Sequence, residues 1–133
     1  LWAQMEEADV INKRRLEIWG NYHQWFAMLE KSEHVRRPTI PRECVHNAHM
    51  YYLLLPSLAH RTSFIERLKA KGIHTVFHYI PLHSSPRGRV EGRAAGNMEN
   101  TDSVGDRLVR LPLWLGLEEQ LADVITEVVA AAQ

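Results

Sequence analysis

Two pairs of histidines stand where an imidazole is useful. His46 and His49 lie in His46-Asn47-Ala48-His49, and His78 and His83 bracket Tyr79 and Pro81 in His78-Tyr79-Ile80-Pro81-Leu82-His83. Imidazole titrates near neutral pH and both donates and accepts hydrogen bonds, which suits polar or anionic ligands. The two clusters face one another if their strands are neighbours. Such rings also serve simply to satisfy loop carbonyls, and a His-x-x-His spacing is common by chance. A zinc site would draw on His46, His49, His78, His83 and Cys44. Against it, there is no helical His-Glu-x-x-His, no cysteine pair, and no carboxylate close to either cluster. Cys44 carries no nucleophile signature, and Ser84 and Ser85 lack a nucleophile elbow. Gly88, Gly92 and Gly96 are spaced by four and form no phosphate loop, although Arg87, Arg89 and Arg93 among them have the fork geometry that holds a phosphate.

These residues need elements to position them. Residues 1–31 read as one long helix, with Leu1, Met5, Ala8, Ile11, Ile18, Tyr22, Trp25 and Leu29 at mostly helical spacing. Trp19 and Phe26 widen the stripe into a core or interface face, and only Gly20 interrupts it. Such a helix would be ~45 Å long, more than the diameter of a domain this size. Residues 32–46, with Pro38 and Pro41, read as a loop. Ala48–Leu55 reads as a buried strand ending at Pro56. A helix capped by Thr62 or Ser63 ends at Gly72 behind Lys69 and Lys71. Ile73–Ile80 reads as a second strand and 81–100 as a long loop. A short helix over Asp102–Val109, a short strand over Arg110–Leu115 and a helix over Leu117–Ala131 complete the chain. Few strands with helices on one side make an α+β layer.

Composition sets the bounds. The chain has 133 residues, 45% of them hydrophobic, which suffices for one core without disulfides. Sixteen Lys and Arg balance 16 Asp and Glu, so nucleic acid is not the expected partner. The longest apolar run, Tyr51–Pro56, falls far short of the ~20 residues that span a bilayer, and no membrane association is expected. One cysteine and no secretory signal fit a cytoplasmic protein. The chain opens Leu1-Trp2-Ala3, without a Met, as a piece of something longer would.

Three stretches carry a resemblance: His46-Asn47-Ala48-His49-Met50-Tyr51-Tyr52, Val76 through Pro86 (VFHYIPLHSSP), and Arg107 through Trp114 (RLVRLPLW). Together they closely resemble the C-terminal part of the pyridoxal-phosphate-dependent sugar aminotransferases, the DegT/DnrJ family. Within it, they resemble most the dTDP-4-keto-6-deoxyglucose transaminases. The resemblance implies an aspartate-aminotransferase-like fold, of which residues 1–31 are the connecting helix and 32–133 the small C-terminal α+β domain. It implies a homodimer whose parent transfers an amino group from glutamate to a nucleotide-linked keto-sugar, with pyridoxal phosphate joined to a lysine as a Schiff base. Lys13, Lys31, Lys69 and Lys71 match no such motif, so the catalytic lysine is expected in a large domain preceding Leu1. What carries over is the substrate side: His49 and Tyr51 on the first strand; His78, Tyr79 and His83 on the second; and Arg87 for a diphosphate or a glutamate carboxylate. His83 and Tyr79 are the foremost candidates for polar contacts to substrate. Without its large domain, the connecting helix is expected to expose its aromatic face. The alternative to a catalytic parent is a stand-alone α+β binding module.

Overall fold

The computed structural model describes residues 2–133; Leu1, counted above in the apolar stripe, lies outside the described residues. The predicted long helix is three successive segments, α1 (Trp2–Glu6), α2 (Ala8–Trp25) and α3 (Ala27–Lys31). Glu7 and Phe26 between them have ψ near zero, at 10° and 3°, which breaks the regular helix at both points. Gly20, the interruption expected from propensity, lies within α2 instead. Strand β1 (Tyr51–Leu54) leads to α4 (Leu58–Ala70). Helix α4 begins four to five residues before the predicted caps, because the Ser57 hydroxyl accepts from the His60 amide at 3.3 Å. It ends as expected at Gly72, whose φ of 76° is the left-handed conformation that glycine adopts without strain.

Strand β2 is only Val76–Phe77. The predicted loop over 81–100 is largely structured. A 3₁₀ turn (Leu82–Ser84) leads into α5 (Pro86–Glu91), and α6 (Glu99–Arg107) begins before the loop was expected to end. Ser85 starts α5 by accepting from the Gly88 amide, and Pro86 sits in the first turn, where its missing N–H costs nothing. Strand β3 (Leu108–Leu111) begins two residues early and stops before Pro112, which cannot donate to a ladder. A second 3₁₀ turn (Leu117–Gln120) precedes α7 (Leu121–Ala132).

The sheet is antiparallel in the order β1-β3-β2. Side chains at paired positions share a face, so Tyr51, Leu53, Val109 and Leu111 point into the core and all are buried. The opposite face carries Tyr52, Arg110 and Val76 side by side. Against the inner face pack Phe64 and Leu68 of α4, Leu121, Val124, Ile125 and Val128 of α7, Ile18, Trp19 and Tyr22 of α2, Leu29 of α3, and Phe26 at the break between α2 and α3. The helices thus cover one face of a small antiparallel sheet, and the fold is α+β.

The aromatic stripe corrects one expectation. Trp19, Tyr22 and Phe26 are not left bare but buried in this chain's own core, and Trp25 alone of the four is exposed, at 61%. Tyr51 draws them in. Its ring lies 5.2 Å from both Trp19 and Tyr22 and 6.0 Å from Phe26, within the range of favourable ring pairs.

The two core tyrosines differ at their hydroxyls. Tyr22 donates to the Pro112 carbonyl at 2.9 Å, whereas the Tyr51 hydroxyl is sealed without a partner. Burial pushes both phenols above their ordinary pKa of 10. Tyr22→Phe should therefore cost about 1 kcal/mol of stability, while Tyr51→Phe should be neutral or slightly stabilising. Paired urea denaturation curves check the contrast, and a Tyr51→Phe variant weaker than Tyr22→Phe would refute it.

A second polar cluster ties α2 and α3 to the following loop. Arg37 donates to the carbonyl of His23 and, through Nε at 2.7 Å, to Glu30. His23 stacks on Trp19 at 4.7 Å, with His46 on the same indole. Burial, and then the Arg37 charge, hold His23 below its ordinary 6.5. Burial alone would raise Glu30, but hydrogen bonds from Arg37 outweigh it and leave the carboxyl below its ordinary 4.5. In both cases the unfolded chain binds protons that the folded chain does not, so stability rises with pH. The His23 contribution is intact above about pH 6.5 and is lost on acidification toward the lower folded value; Glu30 adds to the loss below about 4.5. The melting midpoint, followed by calorimetry, should fall as pH drops below about 6.5, and His23→Gln should flatten that upper limb. An unchanged slope in the variant would assign the loss elsewhere.

Candidate functional site

Beside a cleft of about 440 Å³ that includes Arg61, Arg89 and Asp102, two larger ones flank the segment from His78 to His83 where it runs beside α6. The first, of about 560 Å³, is bounded by His78, Tyr79, Pro81 and Leu82 on one side and by Asn100, Thr101 and Val104 on the other. The second, of about 530 Å³, lies beyond Leu82 and Thr101 and includes His83, Gly88, Arg93 and Met98. Leu82 and Thr101 belong to both. The volumes suit a ligand of small-molecule size, and the walls mix apolar surface with a few polar groups, as binding clefts do.

His83 is the most constrained polar group here. Its side chain is 18% exposed, and its Nε2 lies 2.9 Å from Oδ1 of Asp102 on α6. With Nε2–H donating to the carboxylate, the ring orientation is fixed and Nδ1 becomes the free position. In the neutral ring Nδ1 accepts a hydrogen bond; in the cation it donates one. The pair can therefore hold or hand over a proton at a defined atom. Asp102 corrects the expectation that no carboxylate meets the histidines. It lies 19 residues beyond His83, and only the return of α6 brings the two together.

Tyr79 is 74% exposed at the rim, and its ring meets that of His78 edge-on at 4.9 Å. Arg61 of α4 braces the wall from behind. Its Nη1 donates to the Gly105 carbonyl at 2.8 Å, and its guanidinium lies 5.3 Å from the Phe77 ring centre. Nothing in the sequence singled out Arg61, Asn100 or Thr101, because their roles depend on which helix returns beside which strand.

The other predicted residues lie apart from this group. His49 is exposed and turned toward its neighbour, with Nδ1 3.2 Å from Oδ1 of Asn47. Tyr51 is fully buried in the aromatic core. Arg87 points into solvent and pairs with Glu91 one turn along α5. The two histidine clusters do not face one another, because β3 lies between β1 and β2.

Among the described residues, no group of three or more His, Cys, Asp or Glu is placed to hold a metal ion. No helix among them is long and apolar enough to cross a membrane. Nor do these residues form a seat for a carbonyl cofactor that must be joined to an amine. Lys13, Lys31 and Lys69 are exposed on helices, Lys71 pairs with Glu127 at 3.4 Å, and no lysine lines either cleft.

A profile of the DegT/DnrJ/EryC1/StrS aminotransferase family matches residues 1–130. An uncharacterised protein of Methanocaldococcus jannaschii is 35% identical over 130 residues, which are 94% of this chain and 33% of that protein. Among solved structures, the chain superposes on S. venezuelae DesV in complex with a ketimine intermediate with a TM-score of 0.86 and 24% identity, over 98% of this chain and 34% of that one. It superposes on the aminotransferase TlmJ from Streptoalloteichus hindustanus with a TM-score of 0.82 and 24% identity, over 97% of this chain and 34% of that one. The chain thus spans about one third of the length of the proteins it matches.

Proposed function

The chain belongs to the DegT/DnrJ/EryC1/StrS aminotransferase family, and on that premise we propose that it is the C-terminal portion of a sugar-nucleotide aminotransferase. Residues 1–31 join the small domain, 32–133, to a cofactor domain that precedes them. The whole enzyme is a cytoplasmic homodimer that moves an amino group from glutamate to a nucleotide-linked 4-keto-6-deoxy sugar, for amino-sugar or surface-polysaccharide synthesis. Members of this family depend on pyridoxal phosphate, which supplies an electron sink for amino transfer. The placement of the four lysines supports an anchor for that cofactor outside this chain.

The observation that carries the proposal is the His83–Asp102 pair, with His83 lining the 530 Å³ cleft and Asp102 a neighbouring one of about 440 Å³, in a chain of aminotransferase type that has no lysine facing either. In this reading the chain forms the substrate wall. His83, held by Asp102, offers Nδ1 to a hydroxyl or carbonyl of the sugar. Tyr79 offers its rim hydroxyl, and Leu82 and Val104 exclude water from the sugar's apolar face. His49 and Arg87 have no such place within this chain, and their substrate contacts would have to arise against the rest of the enzyme, whereas Tyr51 is closed off in the aromatic core.

The experiment is steady-state amination by the full-length enzyme with glutamate and a nucleotide-linked 4-keto-6-deoxy sugar. His83→Ala should lower kcat/KM for the sugar by about ten- to a hundredfold, the value of a hydrogen bond to a polarised group. Unchanged constants would remove His83 from the site, and a protein that transfers no amino group would favour the binding-module alternative.

A further inference from the structure

Arg110 is an arginine without an anion. It stands on the middle strand of the sheet, opposite Tyr52 on one side and Val76 on the other. Neither neighbour carries a charge. It is half-buried, its Nε is sealed from solvent without a hydrogen-bond partner, and no carboxylate among the described residues pairs with it. Its one evident contact for charge is the Tyr79 ring, 5.9 Å from the guanidinium carbon. Beside that ring, the Nδ1 of His78 is likewise sealed and unpartnered.

This arrangement is costly in isolation. Only Nε is sealed, and a buried donor without an acceptor forfeits the hydrogen bond it would make to water. A cation–π contact with an exposed tyrosine offsets little of that cost. Arg110 lies against the Tyr79 ring, which with His78 lines the 560 Å³ cleft, and its two terminal nitrogens, which are not sealed as Nε is, are the ones that an acceptor from outside the chain can reach. The planar fork of arginine fits an oxyanion with two oxygens in one plane, a phosphate or a carboxylate.

We propose that Arg110, with Tyr79 laid against it, is an oxyanion anchor on the outer face of the sheet that holds a phosphate or carboxylate of the ligand entering the cleft. The proposal rests on the functional reading only in that the cleft takes a charged substrate. The fork binds the oxyanion in two parallel hydrogen bonds, and Tyr79 closes over it at the rim. The phosphate of a nucleotide sugar and the carboxylate of an amino donor both meet this chemistry.

The test is an NMR titration of the 133-residue chain, labelled at the arginine Nε, with inorganic pyrophosphate in one arm and glutarate in the other. The Arg110 Nε–H signal should shift and saturate with one of them. A pyrophosphate response assigns the anchor to phosphate and a glutarate response to carboxylate. Arg110→Lys, which keeps the charge and loses the fork, should weaken binding about tenfold, while the wild-type signal carries the test if that variant folds poorly. In the full-length enzyme the same substitution should raise KM about tenfold for the corresponding substrate. A silent Arg110 signal in both arms overturns the proposal, and so do two unmoved KM values. The titration needs no amino transfer, so failure of the functional reading leaves its outcome intact.

Discussion

Gly88→Ala is expected to lower kcat/KM of the full-length enzyme by about a hundredfold or more, while leaving the core folded. An alanine Cβ at this position would sit 1.6 Å from the Leu82 carbonyl oxygen and 2.9 Å from the Ser85 hydroxyl. Neither neighbour can yield. The Ser85 hydroxyl donates to the Leu82 carbonyl at 2.8 Å and accepts from the Gly88 amide at 3.0 Å, so the three residues form one closed turn. The turn is backbone, not the end of a flexible side chain, and it must open to admit a methyl group. His83 lies inside it, so opening it shifts the imidazole from Asp102. Helix α5 buries no residue in the core, and global stability should change little. Kinetics beside a thermal melt check this. A Gly88→Ala enzyme with full activity would show that the turn does not position His83.

The second large effect is on stability. Phe26→Ala should cost about 3–5 kcal/mol, a large share of the 5–15 kcal/mol that holds a typical domain together. Phe26 is fully buried at the break between α2 and α3, stacked on Tyr22 at 5.5 Å and tilted against Tyr51 at 6.0 Å. Its loss opens a cavity among rings too rigid to collapse into it. The outcome decides whether the N-terminal helices are part of this chain's core or an appendage to something else. Denaturant unfolding of the variant measures it, and a loss below about 1 kcal/mol would indicate an appendage.

Much of the fold was legible because its signals are local. Helix α7 shows in the spacing of Leu121, Val124, Ile125 and Val128, and the end of α4 in Gly72. Strand β1 shows in the aromatic and apolar run at Tyr51. The start of α4 was misplaced because Ser57 was one of several hydroxyl residues able to cap it. The 81–100 segment read as a loop because Gly88 and Gly92 are poor helix formers, yet Gly88 is there because nothing larger fits beside Leu82.

The site was legible in half. His83 and Tyr79 stand in a recognisable stretch of sequence, and the structure places them together with His78 along the two clefts. Asp102, Arg61 and Arg110 were not legible. Each matters through a partner 19 or more residues away, His83, Gly105 and Tyr79 respectively. Tyr51 stood out for its place in a motif, and its burial followed only from the packing of α2 against the sheet.

The central claim is that this chain supplies a substrate wall while the cofactor is anchored elsewhere in the parent. Visible absorbance tests it most directly, recorded for the full-length protein and for the 133-residue chain, each with added pyridoxal phosphate, then dialysed and given glutamate. The full-length protein is predicted to retain a cofactor band that glutamate bleaches and the keto-sugar nucleotide restores, and the chain alone to retain none. A full-length protein that keeps no cofactor, or a 133-residue chain that keeps the band by itself, would contradict it.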